Sequence, residues 1–431
     1  MAHISPAVVI DNGSYTTKAG FASDDLPSLV FNTNYILDKS INKVIVGDDE
    51  MDKNSQSAVS TLLEDGIIYN FDNIAHNWRY VYDNIDNHNS IDATEFPLVM
   101  TEQSWNTMKA KVKTCQIVFE EFEVPLFSLV KNPLSQLYRC GKSTGLVIDV
   151  GSSVASVTPI LDGVIQTKCS FHSKYAGDFL NLHILNYLKG KVQSVDELLP
   201  ASYRTASESF KSYYMSTHVL QEYKNLSLNY QVTNLEVYDH KFLDVSDQRN
   251  YLENLFDPYL NKLPNINLPE PSLDVPSSQG LTNLVYMAIR SLEASLLPNS
   301  DDPRSQSQNR FARFMDIFKQ LLSNVLVTGG ASLASELPDH IINDIKALMQ
   351  KYFPTYPFSY HVQQIRPTPN NDNADIWDRQ FGSWLGACNL ASMLNESDEN
   401  SSSAKIALDN WFISKSDYEE LGEDLILEKF K

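Results

Sequence analysis

Two apolar runs far apart in this chain end in the same four-residue pattern. Ala7 to Ile10 leads into Asp11-Asn12-Gly13-Ser14, and Leu146 to Ile148 leads into Asp149-Val150-Gly151-Ser152. A second strand-like run follows each, Thr16 to Phe21 and Ala155 to Ile160, so each copy reads as a β-hairpin whose turn carries aspartate, glycine and serine in fixed order. Such self-similarity predicts two related halves.

Between the hairpins the spacing predicts helices over Ile74 to Tyr82 and Ser104 to Phe122, and a strand over Phe96 to Met100. That mixture belongs to an α/β lobe. After Gly177 the pattern turns mostly helical, then loosens at Leu268 to Gly280, where proline, serine and glutamate crowd together. Pro298 to Asn309 and Asn395 to Lys405, rich in Ser, Asn and acidic residues, read as surface loops. A third glycine site follows the short strand Val325 to Thr328: Gly329-Gly330-Ala331, and then a helix over Leu337 to Tyr352.

At 431 residues with 42% apolar content, the chain can build two lobes with separate cores. Its net charge of −20 is spread along the sequence and repels phosphate backbones, which argues against a broad nucleic-acid face. It favours basic partner segments, or is simply a solvated acidic surface. Cys115, Cys140, Cys169 and Cys388 are scattered, with no CxxC pair, and read as reduced thiols. No eighteen-residue apolar run and no basic-then-apolar leader is present, so the reading is cytosolic or nuclear. No Lys/Arg-rich import patch stands out, so nuclear entry would depend on a partner.

A phosphate chain is bound by backbone N–H groups that converge on it, and glycine allows the close approach. Asp11, Asn12, Gly13 and Ser14 form one such turn and Asp149, Gly151 and Ser152 another, with Lys18 adding a positive charge. Facing each other across a cleft, the turns would clasp phosphates from both sides. Asp11 and Asp149 would hold Mg²⁺ through water, because that ion keeps most of its hydration shell. Gly329 and Gly330 precede a helix, whose N-terminus would suit a polar ligand. Taken alone, each turn is better explained as a plain hairpin or helix-start turn; three in this order favour a nucleotide.

IDNGSYTTKAGFASDDLP resembles the first phosphate loop of the actin family, and VIDVGSSVASVTPILDG resembles its second. NVLVTGGASL resembles the adenosine motif, and FGSWLGACNLASML with WFISKSDYEELG the C-terminal segment. The resemblance covers almost the whole chain. It implies an α/β, actin-like fold of the kind found in actin, Hsp70 and sugar kinases, with two duplicated lobes around a nucleotide cleft. It further implies subdomain 1 at 1–31, 65–139 and 382–431, subdomain 2 at 32–64, subdomain 3 at 140–175 and 281–381, and subdomain 4 at 176–280. By position, Asp11, Ser14, Lys18, Asp149, Gly151, Gly329 and Gly330 take nucleotide-binding roles, and ATP with Mg²⁺ becomes the expected ligand.

Departures fall where the family does chemistry and forms filaments. Hydrolysing relatives order the attacking water with a glutamine and a histidine; Asn132 and Ser156 stand at those positions. A shorter amide and a hydroxyl position water poorly, so no catalytic residue is assigned. Ser152 and Ser153 replace an Asp-Gly pair, Tyr15 a glycine, and Ala334 an aromatic that packs on the base. Asn32 to Val46 is shorter than the family's filament-contact loop.

Among actin-related proteins, NFDNIAHNWRYVYDNI, VIDVGSSVASVTPILDGVI and SKYAGDFLNLHIL are most similar to the type-seven branch, fungal subunits of the SWI/SNF and RSC chromatin remodellers. That resemblance implies a nuclear, non-enzymatic subunit that binds ATP without significant hydrolysis. It also implies a heterodimer with a second actin-related protein, a clamp on the helicase-SANT-associated helix of the remodeller ATPase, and contact with other remodeller subunits. No direct nucleic-acid or membrane contact is expected. An ATP-hydrolysing enzyme of this fold and a filament-forming actin relative are the alternatives. Trp78, Arg79 and Tyr82 read as a helix packing on its own lobe rather than a partner site.

Overall fold

The computed structural model describes residues 6–38, 43–86, 89–229, 233–238, 241–246, 250–264, 266–297, 307–368, 372–395 and 402–430. The chain packs as two compact units, Met1–Arg139 with Phe381–Lys431, and Cys140–Gln380.

The first unit is organised by a six-stranded sheet in the order Ile413–Ser414, Leu126–Lys131, Leu98–Glu102, Val8–Asn12, Thr16–Phe21 and Leu29–Asn32. Val8–Asn12 and Thr16–Phe21 form the expected antiparallel hairpin, and Leu98–Glu102 lies parallel to both Val8–Asn12 and Leu126–Lys131. Side chains alternate across a strand. Val8 and Ile10 therefore enter one core with Trp78, Phe119 and Phe127, while Val9 enters another with Val99, Val130 and Trp384. Covered on both faces, the central strands Val8–Asn12 and Leu98–Glu102 are buried at every position rather than at alternate ones. Trp384 Nε1 donates to Val9 O at 3.1 Å. Gly20 leaves room for that indole, since a Cβ there would stand 2.8 Å from Trp384 Cζ2.

Ile74–Asn84 is helical and buries Trp78 and Tyr82, as their expected packing on their own lobe requires. Arg79 stays outside, with Nη2 2.7 Å from Glu121 Oε1. The second expected helix starts later than its apolar pattern: it runs Met108–Gln116 and continues as a wider turn over Ile117–Glu121. Thr107 caps it by accepting from Ala110 N–H. Trp105 is committed elsewhere, its Nε1 donating to Asp65 O at 3.0 Å.

In the second unit the strands run Val164–Ile165, Ala155–Leu161, Gly145–Val150 and Val325–Thr328, and Phe171–Ser173 joins Ala155–Leu161. Gly145–Val150 is antiparallel to Ala155–Leu161 and parallel to Val325–Thr328. The first unit has the same local plan: a hairpin whose first strand gains a parallel neighbour. Phe314, Phe318, Phe358 and Phe353 pack in that order, with successive ring centroids 4.5, 5.4 and 5.6 Å apart.

Residues 39–42 of the expected short Asn32 to Val46 loop lie outside the described residues; Tyr35–Asp38 and Lys43–Ile45 beside them pair antiparallel. Of the two proposed surface loops, 298–306 and 396–401 are likewise outside. Their far ends are helical instead, within Ser307–Leu322 and Ser402–Trp411. Among the described residues no helix is long and apolar enough to cross a membrane.

His183 supplies a pH test of the second unit. It is buried on the helix Gly177–Lys189, against Phe179 and Tyr251. Burial pushes its pKa from the ordinary 6.5 down to about 4. Between those values the unfolded chain takes up a proton that the folded chain refuses, so stability falls as pH drops from about 6.5 towards 4. The urea midpoint is expected to fall between pH 7 and pH 5, and to fall less in His183→Gln. Equal slopes in the two proteins would assign the effect to other groups.

Candidate functional site

The first turn is set by strand register. Asp11 lies opposite Lys18 across the hairpin, and Gly13 N–H closes the turn on Thr16 O at 3.1 Å. A Cβ on Gly13 would stand 3.0 Å from Thr16 O and 3.1 Å from Lys18 Nζ, so glycine lets the ammonium rise close under the loop. Asp11 is buried; its Oδ1 accepts from Thr101 Oγ1 at 2.5 Å and its Oδ2 lies 3.4 Å from Lys18 Nζ. The pairing offsets the cost of burying the carboxylate. Ser14 sits half-buried on the turn.

Asn12 points the other way. Its Nδ2 donates to Thr17 Oγ1 and Asn77 Oδ1, both at 3.0 Å, and its Oδ1 accepts from Trp78 Nε1 at 2.9 Å. The amide supports the loop from beneath rather than presenting itself to a ligand. Thr33 completes the support, its Oγ1 donating to Gly13 O at 2.7 Å.

The second hairpin repeats the construction. Gly151 N–H donates to Val154 O at 2.9 Å, and Asp149 lies opposite Ser156 as Asp11 lies opposite Lys18. Where the first copy holds an ammonium, the second holds a buried hydroxyl. Ser152 is tied to the start of the helix Gly177–Lys189: its Oγ donates to Asp178 Oδ1 at 2.8 Å, and its carbonyl accepts from Asp178 N–H at 2.8 Å. Gly151 O accepts from Gly177 N–H at 3.0 Å.

Beside Asp149 lies the third glycine turn, because Val325–Thr328 places Thr328 opposite Asp149. Gly329 has φ 92°, in the left-handed region that glycine tolerates. A Cβ there would overlap Asp149 Oδ1 and Val150 O, whereas Gly330 has open space. Arg379 grips this turn. Its carbonyl accepts from Gly329 N–H at 3.1 Å and from Thr328 Oγ1 at 3.3 Å. Its guanidinium donates to Ser332 O and lies 3.0 Å from Asp375 Oδ2.

Asn132 opens the helix Asn132–Arg139 and lines a cavity of the first unit with Asn12, Thr101, Glu102 and Asn106. An amide and a hydroxyl do not take a proton from water, so neither Asn132 nor Ser156 is a general base. Sequence reasoning missed Thr101, Arg379 and the Gly177–Asp178 pair. Only the last left a local signal, a glycine and a carboxylate at a helix start. Among the described residues no group of three or more His, Cys, Asp or Glu could hold a metal ion.

Two hairpins of one construction, with a glycine turn beside the second, define an actin-like ATPase fold. The sequence model of the actin family matches residues 3–252 and 307–431, and the chain belongs to that family. It is 26% identical to Actin-related protein 4 of Yarrowia lipolytica, over 98% of this chain and 95% of that protein. It is 25% identical to Actin-related protein 7 of Saccharomyces cerevisiae, over 97% and 96% respectively. It is also 25% identical to the SWI/SNF and RSC complexes subunit arp42 of Schizosaccharomyces pombe, over 98% and 97%. Type-four and type-seven relatives thus stand at one level of similarity.

Proposed function

We propose that the chain is a non-catalytic, ATP-holding subunit of a nuclear chromatin remodeller of the SWI/SNF or RSC type. The remodeller part is supported by similarity to arp42 along almost the whole of both chains. The observation that carries the ATP part is the asymmetry between the hairpins: Lys18 opposite Asp11, but Ser156 opposite Asp149. The first hairpin keeps a cation and a backbone turn for phosphate oxygens. The second keeps the turn and the carboxylate, with a serine where hydrolysing relatives carry the histidine that orders water. This supports binding without significant hydrolysis.

In this reading Ser14 and Lys18 serve phosphates from the first turn, Gly151 and Ser152 from the second, and Gly329 and Gly330 the adenosine. The residues fit such a ligand: glycine stands where a Cβ would crowd Lys18 or Asp149, and the carboxylates of Asp11 and Asp149 are hard oxygen donors suited to Mg²⁺. Bound there, the ion would neutralise phosphate charge. The partner part follows the family resemblance. A second actin-related protein pairs with the chain, and a basic helix of the remodeller ATPase is drawn by the charge of −20. The four-subdomain division belongs to the same reading.

Melting of the purified chain is expected to rise with Mg-ATP, corresponding to about 2.7 kcal/mol at a hundredfold excess over Kd. Lys18→Ala is expected to lose most of that shift, and phosphate release should stay at background. An absent shift, or an equal one in the variant, rejects ATP as a clasp; sustained phosphate release rejects the non-catalytic assignment. Native purification without a remodeller ATPase rejects the subunit assignment.

A further inference from the structure

The cavity of the first unit that Asn132 lines has a volume of about 20 Å³. Roughly 10–15 Å³ is enough to hold one water molecule. Most polar groups in its wall are already engaged. Asn12 spends its amide on Thr17, Asn77 and Trp78, and Thr101 Oγ1 donates to Asp11. Glu102 lies 3.1 Å from Lys111 Nζ and accepts from Asn106 Nδ2 at 2.9 Å. Two wall atoms stand apart from this pattern: Asn106 Oδ1 and Asn132 Oδ1 are buried and receive no hydrogen bond from the chain. Asn132 as a whole is 7% exposed.

Chemistry fixes the orientation of Asn106. An ionised carboxylate accepts hydrogen bonds and donates none, so the amide nitrogen must face Glu102 and the oxygen is left on the other side. Buried acceptors in folded proteins are satisfied by the chain or by ordered water, because a bare one forfeits the hydration it has in the unfolded state. Two acceptors on the wall of one small cavity call for a species that offers two donors and is about the size of the space.

We propose that this cavity is a binding site for a single water molecule, which donates one hydrogen to Asn106 Oδ1 and the other to Asn132 Oδ1 and is a fixed part of the first unit. The water links the first residue of the helix Asn132–Arg139 to the loop ahead of the helix Met108–Gln116. From Asn106 the bonds continue through Glu102 to Lys111, and Lys111 Nζ donates to Phe430 O. Distant stretches of sequence thereby share one polar network, and the Asn132 amide has a structural task. Other occupants fit less well. A divalent cation takes six or more oxygen ligands, and an anion would meet amide oxygens beside a carboxylate, all of them acceptors. The proposal concerns the first unit alone and does not depend on whether the chain holds ATP.

The test is a crystal structure of the full-length, nucleotide-free chain at a resolution that shows ordered water, paired with water-to-amide cross-relaxation NMR on the chain labelled with ¹⁵N at asparagine. One peak is expected at about 2.8 Å from both amide oxygens, together with a cross-peak from a long-lived water to the Asn106 side-chain amide. Asn132→Leu keeps the branched shape and removes one acceptor. It is expected to lose the peak and the cross-peak and to melt at a lower temperature, because Asn106 Oδ1 is then left without a partner. If that variant does not fold, the peak and cross-peak of the wild-type chain decide. A dry cavity, a peak that touches only one of the two amides, a cation with a full oxygen shell, or a cross-peak unchanged in the variant overturns the proposal.

Discussion

Gly329→Ala is expected to destabilise the chain by about 3 kcal/mol and to abolish its response to Mg-ATP. Two costs add. A non-glycine residue in the left-handed region costs roughly 1–2 kcal/mol, and Gly329 has φ 92°. The new Cβ would also overlap Asp149 Oδ1 and Val150 O, and relieving such overpacking costs roughly 1–3 kcal/mol. Relief would have to move Asp149 or the turn gripped by Arg379, so the proposed site is disturbed together with the fold. Gly330→Ala is the matched control: that position has open space and is expected to stay within about 0.5 kcal/mol. Urea denaturation of both variants, each with and without Mg-ATP, checks the pair. Equal stability would mean that the turn has an alternative conformation available.

Lys111→Met is expected to cost about 3–5 kcal/mol, the range for breaking a buried ion pair from one side. Lys111 Nζ lies 3.1 Å from Glu102 Oε1 and donates to Phe430 O at 2.6 Å. Both side chains are almost fully buried, at 3% and 4% exposure. Without the ammonium, the carboxylate in the core keeps the Asn106 amide, which donates to its Oε2 at 2.9 Å, and the weaker attraction of half-buried Lys131. Burial already raises the pKa of Glu102, and losing Lys111 raises it further. A raised carboxylate is tolerated below its ordinary pKa and penalised as pH rises, so the deficit should shrink on acidification. Lys111→Met combined with Glu102→Gln should recover much of the loss, because neither member of the pair is left charged without the other. A single variant within 1 kcal/mol of wild type in urea at pH 7 would show that the pair is not buried in solution.

What could be read in advance was local. The hairpins, the strand Val325–Thr328 and the helix Leu337–Tyr352 are apolar runs bounded by turn residues, and there the residue pattern alone specifies the element. Contacts between distant positions were hidden. Thr101 reaches Asp11 across 90 residues, and Arg379 reaches Ser332 across 47; nothing near either residue marks it for that role. Asn12 shows a subtler limit. A turn pattern places an amide at the edge of a loop, but whether it faces a ligand or the core depends on Asn77 and Trp78, which another helix brings beneath it. The late start of the helix Met108–Gln116 has a similar cause, since Trp105 was already occupied by the Asp65 turn.

The duplicated hairpin makes this chain its own comparison. Two segments of one construction stand in a single molecule, under the same solvent and temperature. Both carry an aspartate on the first strand and a glycine N–H bonded three residues ahead, and it is the glycine bond that closes the turn. What differs, an ammonium at Lys18 against a hydroxyl at Ser156, leaves the turn the same in both. Exchanging those two side chains would therefore separate architecture from chemistry within one polypeptide, without recourse to any relative.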